Sequence, residues 1–212
     1  MGTFTRIPAD TFSQMQTNAG ILLYNFDPAN PAVKDEDIIC PTTGGVTVRC
    51  KPSYSDLGED VDNCPTGLLE LMNLDSWDCG LETTSLGTSP RSIRLALGAA
   101  DIDTEDPTHI VPRIAAKVTD AKDIWWVGDK ANGGMLAACL KNALSTEGFE
   151  LKTTKNGKGQ TTLSLSGHPR VSTQSEVPME FWSADPAGSG PDSGTEAEQS
   201  EQFERADEED VV

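Results

Sequence analysis

Residues 123–128 read Asp-Ile-Trp-Trp-Val-Gly, DIWWVG, and they place two of the chain's four tryptophans side by side, Trp125 and Trp126. A short run rich in β-branched and aromatic residues reads as a strand. Successive strand side chains point to opposite faces of the sheet. The run therefore asks for two apolar surfaces, one on each side. One indole belongs in a core. The other needs a cover, either a partner subunit, where tryptophan is enriched, or a helix of the same chain.

Working outward, strand patterns recur with turn residues between them. GILLYNF (20–26) is one, ended by DPANP. Val46, Val48 and Cys50 alternate with Thr47 and Arg49 and mark a second. LLELMNLDSWDCGLETTSLG (68–87) holds one or two more; THIVPRI (108–114) and VPMEFWSA (177–184) follow, and MLAACLKNAL (135–144), helix or strand by pattern alone, is read as a strand because GG precedes it in strand-rich surroundings. Near the end, Asn156-Gly157 sits between two strand patterns. A two-residue turn there would put Phe149 and Leu163 on different faces, whereas an odd loop of three or five residues pairs Leu151 with Leu163 and Phe149 with Leu165. Register follows the buried face, so the odd loop is expected. One helix is marked at both ends: Ser89 as N-cap, Pro90 in the first turn and Gly98 just past the end. Its expected apolar face is Ile93, Ala96 and Leu97. The polar stretch 53–67 reads as a connection of about 15 residues, a length that points to function or to a partner. The sum is a mainly β chain: an antiparallel β-sandwich or barrel of about eight strands, with one short flanking α-helix and a long inter-strand loop.

The last 27 residues differ from the rest. They carry nine acids, one arginine and a single aromatic, Phe203. Such a composition cannot bury enough apolar area to offset the entropy of ordering it. The expected organisation is a folded domain over 1–185 and a disordered acidic tail over 186–212. Of the net charge of −18, about −10 belongs to the folded part, which argues against a surface that grips nucleic acid through phosphates. Five cysteines, Cys40, Cys50, Cys64, Cys79 and Cys139, include no Cys-x-x-Cys spacing. Together with an N-terminus lacking a signal-peptide core, they point to free thiols in a reducing cytoplasm. No run approaches 18 apolar residues, so no membrane partner is expected.

Chemistry-bearing patterns are sparse. The two histidines, His109 and His168, lie beside or near prolines at strand ends. DIDTED (101–106) starts like a calcium loop, but the sixth and twelfth positions hold Asp106 and Pro112 where that loop needs Gly and Glu. No phosphate loop and no Gly-x-Ser-x-Gly is present. The expectation is a protein without cofactor, metal or enzymatic activity. An outward tryptophan and many acids also suit a monomeric β-sandwich binding module for carbohydrate or calcium, and that alternative stays open.

Several stretches, in this order and spacing, resemble the major tail protein, or tail tube protein, of long-tailed bacteriophages of Gram-positive hosts. They are IPADTFSQMQTNAGILL (7–23), TTGGVTV (42–48), DLGEDVDNCP (56–65), DIWWVGDKANGG (123–134), LKNALSTEGFELKTTKNGKGQ (140–160) and VPMEFW (177–182). The resemblance implies a β-sandwich subunit that forms stacked, hexameric rings. The rings make a tube in the virion tail, assembled in the host cytoplasm, through which DNA passes during ejection without specific binding. It implies further tail proteins, such as tape measure and tail terminator, as partners. It also implies that a long loop between early strands reaches neighbouring subunits. By position that loop is 53–67, and the expected interface residues are Asp56, Leu57, Gly58, Glu59, Asp60 and Val61, with Trp125 and Trp126. The acidic tail has no counterpart in the pattern.

Overall fold

A computed structural model describes residues 7, 8 and 10–186. The expected acidic tail lies outside the described residues from position 187 onward. Ten strands and one α-helix run in the order β1 (Ile21–Leu23), β2 (Thr42–Asp56), β3 (Met72–Ser85), α1 (Pro90–Leu97), β4 (Ala100–Ile102), β5 (Ile110–Pro112), β6 (Lys122–Asp129), β7 (Met135–Ser145), β8 (Leu151–Lys152), β9 (Gln160–Ser166) and β10 (Met179–Ala184).

Eight strands form one continuous antiparallel sheet, and β4 and β5 form a separate ribbon. The large sheet is two leaves joined through β7. The front of β7, from Met135 to Leu140, pairs with β6 on one side and β10 on the other. Its last residues, Leu144 and Ser145, pair with Ser166 and Leu165 of β9. Between them the register with β6 slips, and Asn142 takes a left-handed φ of 48°. Asparagine tolerates that conformation better than most residues. Its backbone N–H donates to Asp123, its side-chain amide donates to the His168 carbonyl, and its Oδ1 accepts from Arg170. The first leaf is β1-β6-β7-β10; the second is β9-β3-β2, with β8 on β9.

Alternation explains the core. Val48, Leu81 and Leu165 lie opposite one another across β2, β3 and β9, as do Val46, Thr83 and Leu163. Their neighbours Thr47, Glu82 and Ser164 take the other face. From the first leaf come Leu22, Ile124, Trp126, Ala138 and Leu140, and all join one buried cluster with Leu81, Leu163 and Leu165. The helix begins and ends where its sequence marks it. Ser89 Oγ accepts from the Ser92 N–H at 3.2 Å, and Gly98 takes a φ of 71° past the last turn. The face it buries is Ser92, Leu95 and Ala96. This corrects the expected stripe of Ile93, Ala96 and Leu97: the core meets the helix one residue round, at i, i+3 and i+4.

Two further expectations shift. The strand after Gly45 runs on through Pro52 to Asp56, and β3 begins only at Met72, so the connection is 57–71 rather than 53–67. Proline is tolerated because β2 is an edge strand. In the β8–β9 hairpin Leu151 pairs with Thr161 and Lys152 with Gln160. The loop is odd, as the buried face demands, but it holds seven residues, 153–159, and the pairing moves by two.

Candidate assembly surface

The hairpin β2–β3 is the longest among the described residues and outlasts its leaf. β9 pairs with β3 only as far as Gly80, opposite Ser166. Beyond that point β3 has β2 as its sole strand partner, through Lys51–Asp78, Pro52–Trp77, Ser53–Ser76, Tyr54–Leu74, Ser55–Asn73 and Asp56–Met72. These six pairs make a two-stranded arm about 20 Å long at about 3.3 Å per residue. An isolated two-stranded ribbon is marginally stable at best in water.

The arm is amphipathic. Cys50 and Cys79 face the core, so the same face continues outward through Pro52 and Trp77. A register shift at Asp75 then keeps Tyr54 with Leu74 and Asp56 with Met72 on that side. Tyr54, Leu74, Met72 and Trp77 are exposed, as are Leu57 and Leu69 in the connecting loop, Leu69 to 82%. The other face carries Lys51, Ser53, Ser55, Asn73, Ser76 and Asp78. The core stripe of the second leaf thus continues past the end of the leaf with nothing from the described residues to cover it. Exposed apolar surface of several hundred Å² marks interaction sites.

The loop at the tip is compact. Leu57 N–H donates to Leu71 O at 2.9 Å, and single turns close at Val61, Cys64 and Leu71. The Asp56 carboxylate accepts from the Gly67 N–H at 2.7 Å and the Gly58 N–H at 2.8 Å, and these two bonds hold its carboxyl below the ordinary carboxylate range. Gly58 is the one buried residue of the tip: a Cβ there would lie 2.8 Å from Leu71 Cδ1 and 2.9 Å from Cys64 Sγ. Among the expected interface residues, Leu57, Glu59, Asp60 and Val61 are exposed on this loop, while Asp56 and Gly58 shape it from within.

The two tryptophans separate as their alternation requires. Trp126 faces the core, 7% exposed, and its Nε1 donates to Ala19 O at 3.0 Å. Gly20, with a φ of 69°, lies under that ring; a Cβ there would stand 2.5 Å from both Nε1 and Val127 O. Trp126, expected at an interface, therefore belongs to the interior of the chain itself. Trp125 takes the opposite face and packs against Phe26 and Trp182, with ring centroids at 5.6 and 4.8 Å. Helix α1 joins the core cluster on the Trp126 side, so it is these two rings that partly cover Trp125.

A cleft of about 510 Å³ opens between α1 and the end of β7, bordered by Arg91, Arg94, Asp120 and Ser145. Its charges are largely engaged. Asp120, its side chain 1% exposed, pairs with Arg113 and with Arg94 at 3.8 Å, and accepts the Lys117 N–H at 2.7 Å. Burial pushes the Asp120 carboxyl up; the Arg113 guanidinium, the Lys117 N–H and Arg94 outweigh it and hold the carboxyl below the ordinary range. Ser145 Oγ is buried there without a hydrogen-bond partner among the described residues. No group of three or more His, Cys, Asp or Glu side chains among the described residues is placed to hold a metal ion. No helix among them is long and apolar enough to cross a membrane.

Comparison with protein-family models finds no match, and comparison with curated proteins finds none either.

Proposed function

We propose that this chain is a structural subunit that assembles with copies of itself into stacked rings forming a phage-type tail tube, through which DNA passes. The observation that carries this reading is the arm. It is a two-stranded ribbon whose apolar face, Pro52, Trp77, Tyr54, Leu74 and Met72, extends the core stripe beyond the subunit's own body. A ribbon of this kind gains stability when a neighbour covers it. The resemblance of stretches between 7 and 182 to tail tube proteins is the source of the stacked-ring geometry in this reading, and the loop it expects at 53–67 overlaps the arm and its tip. An excess of acids suits a passage that must not hold phosphates.

The test is assembly of the purified chain at rising concentration, followed by light scattering and negative-stain electron microscopy. Rings or tubes are expected, and the double variant Tyr54→Ser/Leu74→Ser should abolish them while melting within about 0.5 kcal/mol of the parent, since both side chains are exposed. A parent chain that stays monomeric at every concentration and binds an oligosaccharide through Trp125 would replace this reading with the monomeric module.

A further inference from the structure

The arm and a run of lysines unpaired among the described residues lie at opposite ends of the same leaf. Strand β9 is antiparallel to β3, with Gly80 opposite Ser166 at the arm end and Ser85 opposite Thr161 at the other. The β8–β9 loop, 153–159, precedes Gln160 and so stands at the end remote from the arm. That end is basic. Lys152, Lys155 and Lys158 are exposed and pair with no described residue, and no acid occurs between Leu151 and Ser166. The arm is the reverse: from Lys51 to Asp78 it carries seven acids, Asp56, Glu59, Asp60, Asp62, Glu70, Asp75 and Asp78, and one base, Lys51, at its root. Glu59, Asp60, Asp62 and Glu70 form no ion pair with a described residue. In a chain of net charge −18, three free lysines on one hairpin are the exception that calls for a counter-surface.

We propose that the acidic arm of one copy docks on the Lys152–Lys155–Lys158 hairpin of the next, so that subunits join head to tail along the strand direction of the second leaf. The inference rests on the assembly reading above and adds the receiving surface and the polarity of the contact. Two arms cannot meet tip to tip without bringing like charges together, which disfavours a two-fold contact through the arms. An acidic end meeting a basic end is a heterologous contact. Such a contact joins copies in series, closing into a ring where the rotation between copies closes and running on as a stack where it does not, and it does not yield a two-fold dimer. Leu151, exposed beside the lysines, offers an apolar partner to Leu57 or Leu69 of the arm tip.

The experiment uses the full chain in three forms: the parent, the triple variant Lys152→Glu/Lys155→Glu/Lys158→Glu, and the arm variant Glu59→Lys/Asp60→Lys/Asp62→Lys. All six positions are exposed, and thermal melts establish that each variant remains folded. The critical concentration for assembly should rise at least tenfold in each variant alone and return toward the parent value when the two are mixed, because each then carries the charge the other lacks. Raising salt from 50 to 500 mM should weaken parent assembly, since exposed pairs are screened. Assembly of the lysine variant at the parent's concentration would overturn the docking surface and leave the tube reading standing. Failure of the mixture to recover would do the same, as would lysine-dependent retention of duplex DNA in a mobility-shift assay at 150 mM salt with assembly unaffected. A parent that never assembles removes the tube reading and this contact together.

Discussion

Trp126→Ala and Trp125→Ala provide a graded test of the fold, because adjacent residues of one type sit in opposite environments. Trp126 is 7% exposed. Nearly all of a side chain that buries about 150–250 Å² is therefore out of water, which at about 25 cal/mol/Å² is worth about 4–6 kcal/mol as an upper bound. The alanine methyl retains a little of that, and loss of the Nε1 bond to Ala19 O leaves a carbonyl without its donor. A loss of about 4 kcal/mol is expected, within the usual range for removing a buried aromatic. Trp125 is half-buried and keeps ring contacts to Phe26 and Trp182 only, so its removal should cost about 2 kcal/mol. At about 2–4 °C per kcal/mol for a domain of this size, the melting temperature should fall by about 8–16 °C for Trp126→Ala and about 4–8 °C for Trp125→Ala. Far-UV circular dichroism melts read both without relying on tryptophan emission. Equal losses, or a larger loss at Trp125, would refute the assignment of faces.

Gly20→Ala should destabilise the chain by more than 1 kcal/mol in a urea titration, since a Cβ at that left-handed position meets the Trp126 ring and a backbone carbonyl. Asp120→Asn should cost about 2 kcal/mol in the same assay, because it removes the buried one of the two carboxylates that pair with the Arg113 guanidinium, itself only 16% exposed, and leaves it Asp101 alone at 2.8 Å. The Asp120 carboxyl is depressed in the folded state, so the stability it contributes is present above the unfolded carboxylate value near 4 and is lost as pH falls through the lower folded value. Parent and Asp120→Asn stabilities should therefore converge on acidification, and a gap that widens toward low pH would contradict the pairing. In thiol labelling at pH 8, Cys64 and Cys50 should react before Cys79 and Cys139. Burial, helped by the neighbouring Cys50 thiol, pushes Cys79 up to about 12, and burial pushes Cys139 up to about 12. Peptide mapping that finds Cys139 modified first would count against the packing of β7.

The features readable from sequence are those whose causes are local. Ser89, Pro90 and Gly98 act within one turn of themselves, so the helix bounds were visible. Its buried face was not, since whether Leu95 or Leu97 turns inward depends on where β7 and β9 lie. The hairpin at Asn156 showed its parity, because the buried set Leu163 and Leu165 forbids an even loop. The count of seven loop residues follows from where β8 begins, which no single residue marks. The arm was the largest omission. Ser53 and Ser55 make β2 look polar there, and its apolar complement Trp77, Leu74 and Met72 lies about 20 residues further on. Only the register places those residues beside Tyr54 and reveals one continuous stripe. Alternation alone separates Trp125 from Trp126, but the cover over Trp125 comes from Phe26 and Trp182, roughly 100 and 60 residues away.

Strand β7 belongs to both leaves, and the change of allegiance falls between Leu140 and Leu144, around the left-handed Asn142. Three contacts, to Asp123, His168 and Arg170, hold Asn142 where the strand passes from one leaf to the other. A pivot of about 10° at that joint would carry the far end of a 20 Å lever by about 3–4 Å, roughly a side-chain diameter. A small change at that joint is thus magnified at Tyr54 and Trp77, far from where it is made.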